Sequence, residues 1–238
     1  MNTLSGKGCP WPARLDLLQS ATGLFLGMFL CLHTFLVASI LISHEAMWRV
    51  ARFFEGYYLF GRPYPAVVSV LAAVILLIFI THAALALHKF PANLHQWRAI
   101  WHHTRTFRHS DTTLWLVQVV TGFLMFFLGS VHLYSILTHP AQIGPFESAD
   151  RAWTGNFWPL DLLLLLAVMP HGALGLYRLA LKWGWSTGNS RMRLRRIMWI
   201  AYALFLSLGL AALSSYIRIG IEHAPHAGEP YISVHPLE

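Results

Sequence analysis

Five apolar stretches, each long enough to cross a bilayer, dictate what this chain can fold into. A spanning helix needs about 20 mostly apolar residues, and the sequence offers such runs over 20–42, 65–88, 112–138, 158–183 and 196–220. Hydrocarbon forces backbone N–H and C=O groups to pair internally, which leaves only helices and closed barrels. Barrel strands alternate apolar and polar residues, whereas these runs are continuous. The expected class is all-α, a polytopic membrane bundle of five transmembrane helices with residues 1–238 as a single transmembrane domain. No remaining segment is long enough for a sizeable soluble domain, so chemistry outside the membrane falls to a partner chain.

Only 11% of residues are charged, yet the formal net charge is +7. The basic residues read as a topology signal. Lys7, Arg14, Lys89, Arg98, Arg105, Arg108, Lys182 and the arginines between 191 and 196 fall on one side of the five spans. Arg49, Arg52, Arg62, Arg151 and Arg218 fall on the other. The positive-inside rule then sets the N-terminus in the cytoplasm and the C-terminus outside. That accounts for the charge without a nucleic-acid partner. Cys9 and Cys31 support neither a disulfide framework nor a cysteine-ligated metal. The first residues, MNTLSGKGCPWPARLD, lack the apolar core of a cleavable signal peptide, and the first span is expected to act as an uncleaved insertion signal.

The connecting segments carry their own signals. Residues 43–65 form an aromatic, amphipathic outer segment in which Gly56, Gly61, Pro63 and Pro65 limit any helix. Trp and Tyr favour the membrane interface, so this segment is expected to form a structured cap. On the inner side, residues 89–111 are rich in His, Arg and Trp and read as a docking surface. Ser110, Asp111, Thr112 and Thr113 offer helix-start chemistry for the third span. The outer loop 139–157 and the tail after Gly220, with Pro225, Gly228 and Pro230, are expected to be irregular, the tail loosely ordered.

One histidine lies within each of the first four spans: His33, His82, His132 and His171. An ionisable ring in hydrocarbon is costly unless something binds it, so each marks a functional site by default. Four imidazoles on four helices suggest two bis-histidine metal centres, most naturally two haems. At about 1.5 Å per residue, His33 and His132 sit toward the outer ends of their helices and His82 toward the inner end of its own. His171 comes out near mid-membrane, so its depth chooses no partner. Pairing His33 with His132 leaves His82 with His171, giving two stacked centres that could carry electrons across the membrane.

Gly23 and Gly27, Gly122 and Gly129, and Gly172 and Gly175 recur near helix-face spacing. Glycine there permits the close approach of a flat ring or of another helix. Pro170 is placed to kink its helix beside His171. Near the inner surface Gln19, Ser20, Trp115 and Lys182 are suitable donors to haem propionates, and Arg151 is their counterpart on the outer side. Lys182 serves equally as a snorkelling topology residue. His44, His88 and His139 lie at span ends, within reach of water, and are expected to ligate nothing. His95, His102, His103 and His109 match no zinc spacing. Glu55, in the outer segment just beyond the outer pair, reads on its own first as a solvated loop carboxylate, and second as an acceptor for a proton from a quinol hydroxyl.

The segments LDLLQSATGLFLGMFLCLH, HSDTTLWLVQ, TGFLMFFLGSVHLY and HGALGLYRLALKWGW together resemble the dihaem cytochrome b subunit of bacterial menaquinol:fumarate reductases, within the succinate:quinone oxidoreductase superfamily. The likeness runs from about Leu15 to Trp185. It implies two haem b groups, with His33 and His132 on the distal iron and His82 and His171 on the proximal one. It implies that Glu55 accepts protons from menaquinol on the outer side. It further implies an iron–sulfur subunit and a flavoprotein with FAD as partners, a place in the bacterial inner membrane, and room for a dimer of such heterotrimers.

One position departs from that family. Better-studied members carry a glutamate two residues before the last ligand, proposed to take part in a transmembrane proton pathway; here it is Met169. Methionine relays no proton, so the expectation is that this route is missing in its usual form. The sequence alone leaves open the reverse reaction, succinate oxidation coupled to menaquinone reduction. It also leaves open the cytochrome b subunit of a hydrogenase or formate dehydrogenase, and a haem-free anchor or transporter.

Overall fold

A computed structural model describes residues 11–87, 93–107, 110–185 and 190–234, without side-chain placement at 100, 103–107 and 110–111. Lys7, Cys9, His88, Lys89, Arg108 and His109, and the side chain of His103, therefore lie outside the description. The described residues are 85% helical, with no strand among them. Among the described residues five helices are long and apolar enough to cross a membrane, as the hydropathy pattern requires.

These are α1 (Trp11–Val37), α4 (Pro65–Leu87), α6 (Ser110–Thr138), α8 (Trp158–Lys182) and α9 (Ser190–His223). The apolar runs understate two of them. Arg14 and Asp16 already lie within α1, and Arg191, Arg193, Arg195 and Arg196 within α9. Both ends are polar because they project beyond the apolar slab; hydropathy sees only the slab. Helix α6 is described from Ser110 onward. Pro170 leaves α8 as one helix, its missing N–H absorbed without a break.

Helices α1, α4, α6 and α8 form a closed ring, each packed against the next, with α8 returning to α1. Helix α9 stands outside, against α8 and α1. Lipid tails are as apolar as leucine, so close packing rather than hydrophobic collapse must hold such a bundle. Small residues make the seams. A Cβ on Gly209 would meet Leu165 at 2.6 Å, and one on Gly220 would meet the Ala149 carbonyl at 2.5 Å. Outward faces carry large exposed apolar side chains such as Phe35, Val70, Leu77 and Leu204, which suits a lipid solvent. Threonine hydroxyls inside the spans, including Thr34 and Thr81, donate to carbonyls four residues back, so their polarity stays satisfied.

One end of the ring is capped. Helix α2 (His44–Phe54) starts on Ser43, whose Oγ accepts from the Ala46 N–H at 3.0 Å. It stops at Gly56 (φ +76°), which, with Gly61 (φ +70°), brackets the single turn α3 (Tyr57–Phe60). The loop expected over 139–157 contains a further helix, α7 (Pro145–Ala152), wedged against α9 and α2. The tail also departs from expectation. Asp150 accepts from the Gly228 N–H at 2.8 Å and contacts His223 Nδ1 at 2.9 Å. Glu45 accepts from Ser233 Oγ at 2.9 Å and from Tyr231 Oη at 3.3 Å. The tail is thus fastened across the cap, by acids whose partners lie too far along the chain for a local reading to find. On the opposite end, α5 (Leu94–Phe107) gives the segment read as a docking surface a helical form.

Candidate functional site

The ring encloses one large, mostly apolar cavity of about 1120 Å³. Single-ligand pockets run from about 300 to 1,000 Å³, so this space exceeds what one small molecule requires. His33, His82, His132 and His171 all line it, as do Gln19, Ser20, Trp115, Lys182 and Arg151. The residues singled out inside the spans therefore share one interior.

At the capped end, the rings of His33 and His132 stand edge-to-face with centroids 6.5 Å apart. His33 also stacks on Phe29, at 5.3 Å. His132 Nδ1 lies 3.2 Å from Asp161 Oδ1. Farther along, His171 Nδ1 lies 3.0 Å from the Gln118 carbonyl, so that nitrogen carries the proton and donates it. His82 Nδ1 lies 3.2 Å from Thr22 Oγ1, whose own proton is directed to the Leu18 carbonyl at 2.8 Å. The hydroxyl oxygen must then accept from His82 Nδ1. In all three rings the network puts the proton on Nδ1 and leaves the lone pair on Nε2.

Glycine gives two of these rings their room. A Cβ on Gly23 would meet His82 Cε1 at 2.9 Å, and one on Gly122 would meet His171 Cε1 at 2.8 Å. The remaining glycines of the pattern serve helix packing: Gly27 lies against Leu176, Gly172 against Leu30, Gly129 against Phe79 and Gly175 against Gln118. Gly23 and Gly122 thus lie against imidazoles, and the other four against side chains of neighbouring helices.

The polar donors divide by end. Lys182 Nζ donates to Ser20 Oγ at 2.7 Å and pairs with Asp16 at 2.5 Å. Gln19 Oε1 is buried with no partner among the described residues, an orphaned amide in a cavity wall. Arg151 Nη1, at the capped end, donates to the Gln142 carbonyl at 3.2 Å.

Glu55 stands apart from the cavity lining. It caps the end of α2, whose Met47, Val50, Ala51 and Phe54 form part of the cavity wall, and it is only 2% exposed. Arg52 Nη1 is 2.8 Å from Glu55 Oε2, a charge contact outside hydrogen-bond geometry. Burial pushes the Glu55 carboxyl above its ordinary pKa; Arg52 opposes that shift, and Glu147 on α7 adds to it. Glu147 is itself pushed up, first by burial. Sequence reasoning missed Asp161, Glu147 and Asp16. A first-turn acid such as Asp161 or Glu147 reads as helix-start charge, and nothing local reveals what it faces. His44 is half-buried against Phe146 and Tyr231 rather than open to water. His139 is at the surface, beside the Thr138 hydroxyl. No group of three or more metal-ligating side chains occurs among the described residues.

The sequence profile of the succinate dehydrogenase/fumarate reductase transmembrane subunit matches residues 95–210. A fumarate reductase cytochrome b subunit of Helicobacter pylori is 51% identical over 211 residues, covering 89% of this chain and 83% of the relative. The fumarate reductase cytochrome b subunit of Wolinella succinogenes is 47% identical over 215 residues, covering 89% and 84%. With its histidine-lined five-helix bundle, this chain belongs to the family of fumarate reductase cytochrome b subunits.

Proposed function

We propose that this chain is the membrane-anchoring dihaem subunit of a menaquinol:fumarate reductase, with the capped end facing outward and α5 facing the cytoplasm. The observation that carries it is the approach of His33 and His132 within the cavity, their ring centroids 6.5 Å apart. That spacing leaves room for an atom between the rings, and both rings line the central cavity. The pair therefore fits one iron between two rings. His82 and His171, each with Nδ1 anchored and a glycine beneath or beside it, fit a second. The cavity volume and the orphaned Gln19 amide fit the same groups.

Haem b supplies reversible one-electron transfer, its potential set by ligands and surroundings. The protein's residues do the rest. His33, His82, His132 and His171 would hold the irons. Gln19, Ser20, Trp115 and Lys182 would receive the carboxylates of the inner group, and Arg151 those of the outer one. Menaquinol oxidation yields menaquinone, two protons and two electrons. Glu55, held by Arg52 and raised in pKa by burial, is suited to accept a proton at the outer face. The electrons leave at the opposite end, to an iron–sulfur partner and a flavoprotein that joins them with two protons to reduce fumarate to succinate.

The test is a pyridine haemochrome assay of the purified complex with optical redox titration, alongside menaquinol-driven fumarate reduction. Two b-type centres per chain and coupled turnover are expected. A haem-free chain, or haem that survives replacement of all four histidines, would overturn the reading.

A further inference from the structure

Asp161 lies in the first turn of α8, two residues after Pro159, where the helix dipole favours a negative charge. Its Oδ1 is 3.2 Å from His132 Nδ1, with the carboxylate side chain 18% exposed and the imidazole 25%. Asp161 also lines the central cavity. The other anchored rings meet neutral acceptors, His171 a backbone carbonyl and His82 a threonine hydroxyl. His33 stacks on an aromatic ring. Among the described residues, His132 is the candidate ligand seen with a carboxylate on its Nδ1.

That difference has a chemical consequence. A carboxylate accepting from Nδ1–H draws the proton toward itself and makes Nε2 a stronger electron donor. A stronger donor stabilises ferric over ferrous iron. The negative charge itself acts in the same direction, at short range and in a poorly polarisable medium. Arg151 lines the same cavity within electrostatic reach of Asp161 and offsets part of that field. The directed bond to His132 is not offset in this way.

We propose that Asp161 is a positioning residue for the outer haem, fixing the His132 ring through Nδ1 and lowering the potential of the iron it would ligate. The inference rests on the ligand pairs proposed above. Its role is exerted through His132 and involves no contact with substrate.

The experiment is potentiometric titration of the haems in the whole complex, with low-temperature electron paramagnetic resonance to read the ligand field. The variants are Asp161→Asn, which keeps an acceptor but loses the charge, and Asp161→Glu, which keeps the charge. Asp161→Asn is expected to retain both haems and shift the outer centre toward the ferrous form by at least tenfold, about 59 mV for one electron. Its ferric g-values should change while the inner centre stays put. Asp161→Glu should stay near the parent potential. Loss of the outer haem in Asp161→Asn but not in Asp161→Glu would also support the role, as failed orientation. Unchanged potentials and g-values in a two-haem Asp161→Asn complex would overturn this inference alone. Loss of the outer haem in both variants would reduce Asp161 to a packing residue and overturn it too. A parent complex without haem would overturn the ligand assignment itself, and this inference with it.

Discussion

His82 rests on Gly23 so closely that a methyl group there would come within 2.9 Å of its Cε1. Gly122 stands in the same relation to His171, at 2.8 Å. Each glycine sits on a neighbouring helix of the ring, so the proposed inner ligands are aimed partly by what is missing opposite them. Gly122→Val should push His171 off its bond to the Gln118 carbonyl. Overpacking of this kind costs about 1–3 kcal/mol, and the inner haem should be lost while the outer one remains. The measurement is haem content with a redox titration; retention of both centres at parent potentials would refute the placement.

Single replacement of the histidines should sort them into pairs. His33→Ala and His132→Ala should each remove the same spectroscopic component, and His82→Ala and His171→Ala the other. Each variant should retain about one haem of two, since a single imidazole would be left to hold the affected group. A variant that deletes a component shared across the pairs would break the assignment.

Glu55→Gln should leave both haems in place and still reducible by dithionite. Menaquinol oxidation should fall by about 10²- to 10⁴-fold, the span expected when a general base is lost. Steady-state kinetics with a soluble menaquinol analogue reads this directly. Wild-type rates in that variant would remove Glu55 from the chemistry.

The dependence on pH follows from the same side chain. Glu55 accepts a proton only when ionised, and burial has raised its pKa. Menaquinol oxidation should therefore decline as pH falls through that raised value, at a higher pH than an ordinary carboxylate would give. Arg52 favours the ionised form. Arg52→Gln should lift the pKa further and move the acid limb of the rate profile to higher pH. A limb displaced to lower pH would contradict the electrostatics.

Met169 is 5% exposed on α8 and lines the cavity two residues before His171. Its thioether relays no protons. Menaquinol-driven turnover in proteoliposomes is expected to move net charge across the membrane. Electroneutral turnover would show that other groups carry the compensating protons.

Much of this molecule was readable in its residues, for identifiable reasons. The five spans announce themselves because hydrocarbon tolerates so little else. His33, His82, His132 and His171 stand out because an imidazole is expensive there. What the chain conceals is which acceptor each ring finds. Thr22 and Thr121 read as hydroxyls returned to their own helices, as both are, at 2.8 Å from the Leu18 carbonyl and 2.7 Å from the Val117 carbonyl. That Thr22 also receives His82 depends on how two helices pack. Asp161 and the Asp16–Lys182 pair were invisible for the same reason. Helix α7 was hidden by its shortness, and the fastened tail by its distance in sequence from Glu45 and Asp150.

Glu45 and Asp150 have a practical bearing on how the protein is handled. Through them, the segment from Gly228 to Ser233 becomes the latch on a roof whose first beam, α2, lies far back in the sequence. A fluorescent fusion inserted just after Ser233 would tug on that latch, on the same cap that holds Glu55. Kinetics from such fusions would mix native turnover with a loosened roof.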